Sequence, residues 1–252
     1  MKRICKLCLK EANLLSKSHI IPDFMYKELY DEKHRFLFTT NLDLKEKKEN
    51  LKHLQTGIYE GNILCRNCDN VILGSLERYT ANFLYAENIS KEKSPLLIPQ
   101  IDLKGNRFFK VSNADYSKFK LFFLSILWRS SISTNEFFKE IQLGIHEQII
   151  RKMIIENQPG NIGDYPVIIS IIDQSSTSPK DYIGQPRLTK YSGHRIALFW
   201  TSSLLFGVLI SSHKKPSELI DMALNPSGDF LLPYLPKSQS WDLFLKFSGL
   251  LK

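Results

Sequence analysis

All four cysteines of the chain fall in two Cys-x-x-Cys pairs, Cys5-Lys-Leu-Cys8 and Cys65-Arg-Asn-Cys68, set far apart in sequence. A Cys-x-x-Cys turn is tight enough for both sulfurs to reach one ion, and two such knuckles complete the tetrahedron that closed structural zinc sites prefer. The spacing therefore predicts one four-thiolate zinc site that staples the N-terminal segment to residues far downstream. Reduced free thiols are the bland alternative. A redox dithiol would need the strand-to-helix opening of a thioredoxin-like unit, which neither pair has. With four thiolates on one ion no position is left for substrate, so any chemistry has to lie elsewhere.

The remainder of the chain sets the class. Its 252 residues, 43% hydrophobic and 12% aromatic, suffice for a buried core in one large domain or two modest ones. A formal net charge of +8 favours an acidic partner such as nucleic acid, although the basic residues are spread along the chain and mark no single face. No apolar stretch that could serve as a signal peptide precedes the first knuckle. The longest apolar runs, Leu121 to Trp128 and Ile196 to Ser211, are broken by Ser, Thr, Arg or Gly and fall short of the roughly 18 to 20 residues a bilayer requires. The chain reads as cytoplasmic, with no membrane partner.

The pattern along the chain predicts an α+β protein: a zinc-stapled module over residues 1–90, a linker over 91–107, and a helical and β-hairpin domain over 108–252. In the first module, Phe24 to Tyr30 reads as a short helix and Asp43 to His53 as a solvated, charge-rich insertion. A helix starting near Asp69 or Asn70 would carry Val71, Leu73, Leu76, Tyr79, Phe83 and Leu84 at helical spacing. The Pro-bounded stretch Ser90 to Pro99 reads as linker. Beyond it come a strand at Phe108 to Val111, a long helix through Phe119, Phe122, Phe123, Ile126 and Leu127, and a second helix from Glu136 to Asn157. Val167 to Ile172 reads as a strand, Arg195 to Phe199 with Leu204 to Ile210 as a hairpin, and Trp241 to Leu251 as a terminal helix.

Between the knuckles lies Ser18-His19-Ile20-Ile21-Pro22, followed later by Asn62-Ile-Leu-Cys65-Arg-Asn-Cys68 and the expected helix. Over about the first 80 residues this order resembles the HNH endonucleases, the ββα-metal or His-Me finger nucleases, in their form with four-cysteine zinc knuckles. The resemblance implies that His19 is the general base that activates water against a phosphodiester of nucleic acid, DNA first. An imidazole suits that role because its unperturbed pKa of about 6.5 lets it accept a proton near neutrality. It further implies that Asn62 orients the His19 strand, and that Mg²⁺ or Mn²⁺ is held by residues just before the histidine and just after the last cysteine. Those positions carry Ser18 and Asp69 here. Asp69 is a hard oxygen donor suited to such an ion, whereas Ser18 is a weak substitute for the family's carboxylate. Glu77, about two helical turns beyond Asp69, either completes or orients the site or is a surface carboxylate paired with Arg78 or Lys91. Bacterial proteins of this build often act against foreign DNA, so the resemblance further implies a role in defence.

Arg3, Lys6 and Arg66 lie on or beside the knuckles, where they would contact phosphates and add affinity without reading sequence. His34, His53, His146, His194 and His213 lack a partner pattern, and the aromatic run Phe119, Phe122, Phe123, Trp128 reads as core rather than as a base-stacking platform. The expectation is thus a metal-dependent nuclease whose C-terminal domain selects the substrate or a protein partner. The main alternative is a non-catalytic zinc-ribbon module that binds nucleic acid or protein with a degenerate site. A weaker one is a structural zinc module fused to an unrelated enzyme in residues 96–252.

Overall fold

The structure, a computed structural model, describes residues 2–38, 52–85, 96–103, 105–172, 183–191, 193–211, 217–235, 239, 240, 242, 243 and 246. Its fold is mixed α+β. The N-terminal part is made of short strand pairs rather than a sheet. β1 (Arg3–Ile4) pairs antiparallel with β2 (Glu11–Ala12) around the first knuckle. β3 (Ser18–His19) pairs with β6 (Tyr59–Glu60), and β4 (Phe36–Phe38) with β5 (Lys52–Leu54). Asp23–Leu29 forms a 3-10 helix, where the sequence suggested a short helix over nearly the same residues.

The second knuckle is itself the first turn of a helix. Asn67–Leu73 winds as a wide π-helical turn that runs straight into α1 (Gly74–Tyr85), so the helix begins before the expected Asp69 or Asn70 and has no side-chain cap. The Asp69 backbone N–H instead donates to the Cys65 carbonyl at 3.0 Å.

Among the described residues seven strands form the main sheet: β7 (Leu96–Ile101), β8 (Arg107–Ser112), β9 (Val167–Ile172), β10 (Gly184–Tyr191), β11 (His194–Trp200), β12 (Leu204–Ile210) and β13 (Phe230–Leu235). Their order is β10-β11-β12-β9-β13-β8-β7, antiparallel throughout except where β13 runs parallel to β9. The expected strands at Phe108 and Val167 and the hairpin of β11 and β12 are all present. Leu96–Ile101 is a strand and not linker. Its Pro99 sits on an edge strand, where a missing N–H costs no ladder bond, so the proline that suggested a break is accommodated.

At the centre lies α2 (Tyr116–Ile132), capped by the Asp115 side chain accepting from the Lys118 N–H. Every residue from Phe119 to Ser130 is buried, including Lys120 and Arg129. A helix apolar nearly all round has to be enclosed on all sides, and α2 is. Phe119 packs on Phe83 of α1 at 4.6 Å between ring centroids and on Phe230 of β13 at 5.7 Å, while Phe123 meets Phe206 of β12 at 4.8 Å. The aromatic run is therefore core. The expected helix over 136–157 is broken: a 3-10 turn at Glu136–Phe138 is followed by Gly144 at φ 57°, a left-handed conformation, and only then by α3 (His146–Ile155). α4 (Ser217–Asp221) is a single short turn before β13. The charge-rich stretch and the terminal helix fall mostly outside the described residues, as does His213.

One contiguous apolar cluster runs from Cys5, Leu7 and Ile20 through α1 and α2 to Leu232. Polar ties cross the same boundary. Arg151 donates to the Leu7 carbonyl at 2.7 Å, Lys6 to the Ile132 carbonyl at 2.9 Å, and Glu60 accepts from Ser133 and Thr134 just after α2. The cysteine-bearing segments thus sit on the end of α2. No helix among the described residues is long and apolar enough to cross a membrane.

Candidate functional site

The four cysteine sulfurs lie within 4.8 Å of one another, with Cys5, Cys65 and Cys68 buried and Cys8 half-buried. The Cys65 backbone N–H donates to the Cys5 sulfur at 3.4 Å, which favours a thiolate there. A hydrogen bond from the Cys68 thiol draws the Cys5 pKa down, and the same shared proton pushes Cys68 up. Four soft, converging sulfur donors are a set that could hold a metal ion such as zinc. Leu9, at φ 60°, closes the first turn with its N–H on the Cys5 carbonyl.

His19 ends β3, and its position follows from what flanks it. Ile20 and Ile21 are buried and anchor the chain, and Pro22 then turns it into the Asp23–Leu29 helix. The imidazole is 32% exposed. Its Nε2 lies 2.9 Å from the Thr56 hydroxyl and 3.6 Å from Asp23 Oδ1. Asp23 is held in turn by the Tyr30 hydroxyl at 2.8 Å and the Gly57 backbone N–H at 3.1 Å. The segment carrying Thr56 can approach only because residue 57 is glycine: a Cβ there would stand 2.5 Å from the Tyr26 ring. Burial lowers the His19 pKa below its ordinary value, and the charges of Asp23, Glu77 and Asp69 partly oppose that.

Behind the imidazole stands Arg129 of α2, 1% exposed. Its Nη1 donates to the His19 carbonyl at 2.7 Å and to Glu77 Oε1 at 2.9 Å, and Nη2 and Nε reach Ser125 Oγ and O at 3.3 and 3.4 Å. Among the described residues Glu77 pairs with Arg129 and not with Arg78, and so belongs to the site through a buried guanidinium; Lys91, the other expected partner, lies outside the described residues. Burial raises the Asp69 pKa, while Arg129, the Ser18 hydroxyl and His19 favour its charged form. Ser18 itself is 1% exposed, and among the described residues its Oγ has no hydrogen-bond partner at normal geometry. Asp69 and Glu77 line an open cleft of about 380 Å³ with Phe24, Asn70, Gly74, Arg78 and Ala81.

His19, Asp69 and Glu77 are thus neighbours, yet they do not close into a three-ligand set. Among the described residues the cysteines form the one such group of His, Cys, Asp or Glu side chains. Asn62 stands apart: it is exposed, adopts φ 62° in the turn after β6, and uses its backbone N–H on the Leu15 carbonyl, with no hydrogen bond to His19 among the described residues. The groups that hold His19 are Thr56, Asp23 and Arg129. Of the three expected phosphate contacts, Arg3 and Arg66 are exposed, whereas the Lys6 ammonium is taken up by the Ile132 carbonyl. The remaining described histidines have structural partners or surface positions: His34 stacks on Tyr30, His146 bonds to Tyr165, and His194 to Ser211, while His53 lies on β5. No protein-family model, curated protein or solved structure matches the chain.

Three residues of this site escape a reading of the sequence. Asp23 follows His19 by four positions and was open to notice. Thr56 lies in a polar segment without a motif. Arg129 is a basic residue inside an apolar helix, and its cost when buried is the signal that it must have partners.

Proposed function

We propose that the chain is a metal-dependent HNH-type endonuclease that hydrolyses phosphodiester bonds in DNA, with structural zinc on Cys5, Cys8, Cys65 and Cys68. The single observation behind this reading is His19. It ends a strand beside the four-cysteine cluster, half-exposed, with Nε2 engaged by Thr56 and faced by Asp23. When Nε2–H is directed to Thr56 and Asp23, Nδ1 is left with the lone pair that accepts a proton. In this mechanism Nδ1 takes a proton from water, the water oxygen bonds to phosphorus, and the P–O bond to the leaving sugar oxygen breaks. That oxygen is reprotonated from solvent.

Asp69 and Glu77 would hold a hard divalent cation, which when bound supplies positive charge against the phosphate and the leaving oxygen. Two cleft-lining carboxylates are an adequate protein share for Mg²⁺, which keeps several waters and takes its other ligands from substrate phosphates. The buried Ser18 hydroxyl beside Asp69 favours that carboxyl's charged form, the form a hard cation takes. Arg3 and Arg66 would carry phosphates across the knuckle surface. A role in defence against foreign DNA extends this reading.

The test is cleavage of plasmid DNA in Mg²⁺ or Mn²⁺ by the protein and by His19→Ala. The expected outcome is loss of cutting in the variant with zinc content and melting temperature unchanged; cutting that survives the substitution rules the mechanism out. A second reading, a zinc-stapled module that binds nucleic acid without cutting it, draws on the lack of a closed three-ligand set outside the cysteines among the described residues. It predicts salt-sensitive DNA binding with no cleavage in any divalent ion.

A further inference from the structure

We infer that Arg129, from the far half of the chain, is the positioning residue of the His19 site, so that α2 is a working part of that site and not only its support. The inference rests on the nuclease reading above. Its basis is geometric. One nitrogen, Nη1, has two protons, and it directs one to the carbonyl of His19 and the other to Oε1 of Glu77. These two groups belong to different elements, the end of β3 and the first turns of α1, and the guanidinium is the only atom set bonded to both among the described residues. Ser125, one turn earlier on α2, holds the other edge of the fork through its hydroxyl and its carbonyl. A planar, always-charged fork anchored on one side fixes what it touches on the other.

Two consequences follow for the site. With its carbonyl fixed, His19 cannot rotate its backbone away from Thr56 and Asp23. With Oε1 of Glu77 held by Arg129, the carboxylate that lines the cleft is fixed in orientation toward any ion or water it meets there. The location also excludes direct contact with substrate: at 1% exposure, Arg129 acts through His19 and Glu77. A purely structural cation looks different. Lys120, equally buried on the same helix, bonds the Tyr116 hydroxyl and the Asn161 carbonyl, away from the strand-end histidine.

That pair of buried cations supplies the experiment. Full-length Arg129→Ala, Arg129→Lys and Lys120→Met proteins are compared with the unsubstituted chain for plasmid cleavage under Mn²⁺, zinc content and melting temperature, with and without added guanidinium ion at low millimolar concentration. Arg129→Ala is expected to lose about 100-fold in kcat with KM nearly unchanged, the scale of misplacing a catalytic group by an ångström. Guanidinium ion should restore part of that rate, and Arg129→Lys should fall between. Lys120→Met should lower the melting temperature at least as much while keeping kcat within a few-fold and gaining nothing from guanidinium. An Arg129→Ala or Arg129→Lys protein that cuts at the unsubstituted rate overturns the inference and leaves the nuclease reading standing. So does an Arg129→Ala loss that guanidinium does not restore and Lys120→Met reproduces. An unsubstituted protein that binds zinc but never cuts removes the nuclease reading and this inference together.

Discussion

Two groups hold one imidazole nitrogen, and they should contribute differently. Thr56 makes the hydrogen bond at 2.9 Å, whereas Asp23, at 3.6 Å, acts mainly through its charge. Replacing Thr56 by Val keeps the shape and removes the bond, so under the proposed nuclease function kcat for DNA cleavage should fall about 5- to 10-fold, the equivalent of roughly 1 kcal/mol for a neutral hydrogen bond. Asn62 makes the opposite prediction. Its side chain makes no hydrogen bond to His19 among the described residues, and its φ of 62° is a conformation glycine adopts without strain, so under the proposed function Asn62→Gly should cut at the unsubstituted rate with little change in melting temperature. A large loss of rate in Asn62→Gly would return it to the role of orienting the histidine. At this scale the sequence exposed the histidine but not what holds it. His19 stands in a compact motif, while Thr56, Asp23 and Arg129 come from three separate segments whose meeting depends on tertiary packing.

Elements were legible where a single periodicity ruled them. β9 was plain because it is a short run of β-branched residues, and β11 and β12 because two apolar runs flank the short polar stretch Thr201-Ser202-Ser203. The helix over 136–157 was not, since its apolar residues continue across Gly144 while the backbone does not. Leu96–Ile101 was misread because proline punctuates a sequence in the same way at an edge strand and in a linker. The segment Thr56-Gly57-Ile58 shows how an element without periodicity can still be demanding. Its Ile58 N–H donates to the Tyr26 hydroxyl at 3.2 Å and to neither flank of a long ladder, and Gly57 lies against the same ring. Gly57→Ala should therefore cost roughly 1 to 3 kcal/mol in denaturant unfolding, as overpacking of a close contact does. Under the proposed nuclease function it should also slow cleavage by at least as much as Thr56→Val, because the forced shift carries Thr56 away from His19. Normal stability in Gly57→Ala would show that the Tyr26 ring can swing aside.

At the scale of the whole molecule, the segments 1–90 and 108–252 share one contiguous buried cluster. Cys5, Leu7, Ile20 and Leu73 belong to the same buried cluster as Phe122, Phe206 and Leu232, and Arg129, Arg151 and Lys6 tie backbone carbonyls across the two halves. The cysteine group lies at one end of that cluster, so metal there should stabilise everything packed against it. Cooperative unfolding follows from shared burial: neither half can expose its face toward α2 without exposing the other's. The zinc-loaded protein should accordingly melt in one transition, with near-UV and far-UV circular dichroism coincident. Adding a strong chelator should move that whole transition to lower temperature, because an ion bound only by the folded state stabilises it by mass action. The Cys68→Ser protein, left with three sulfurs, should melt near the chelated protein and be little changed by chelator itself. Two resolved transitions, with only the earlier one sensitive to chelator, would instead show that the four-cysteine segment unfolds independently of α2 and the sheet, and that the ties through Arg129 and Arg151 are too weak to join them.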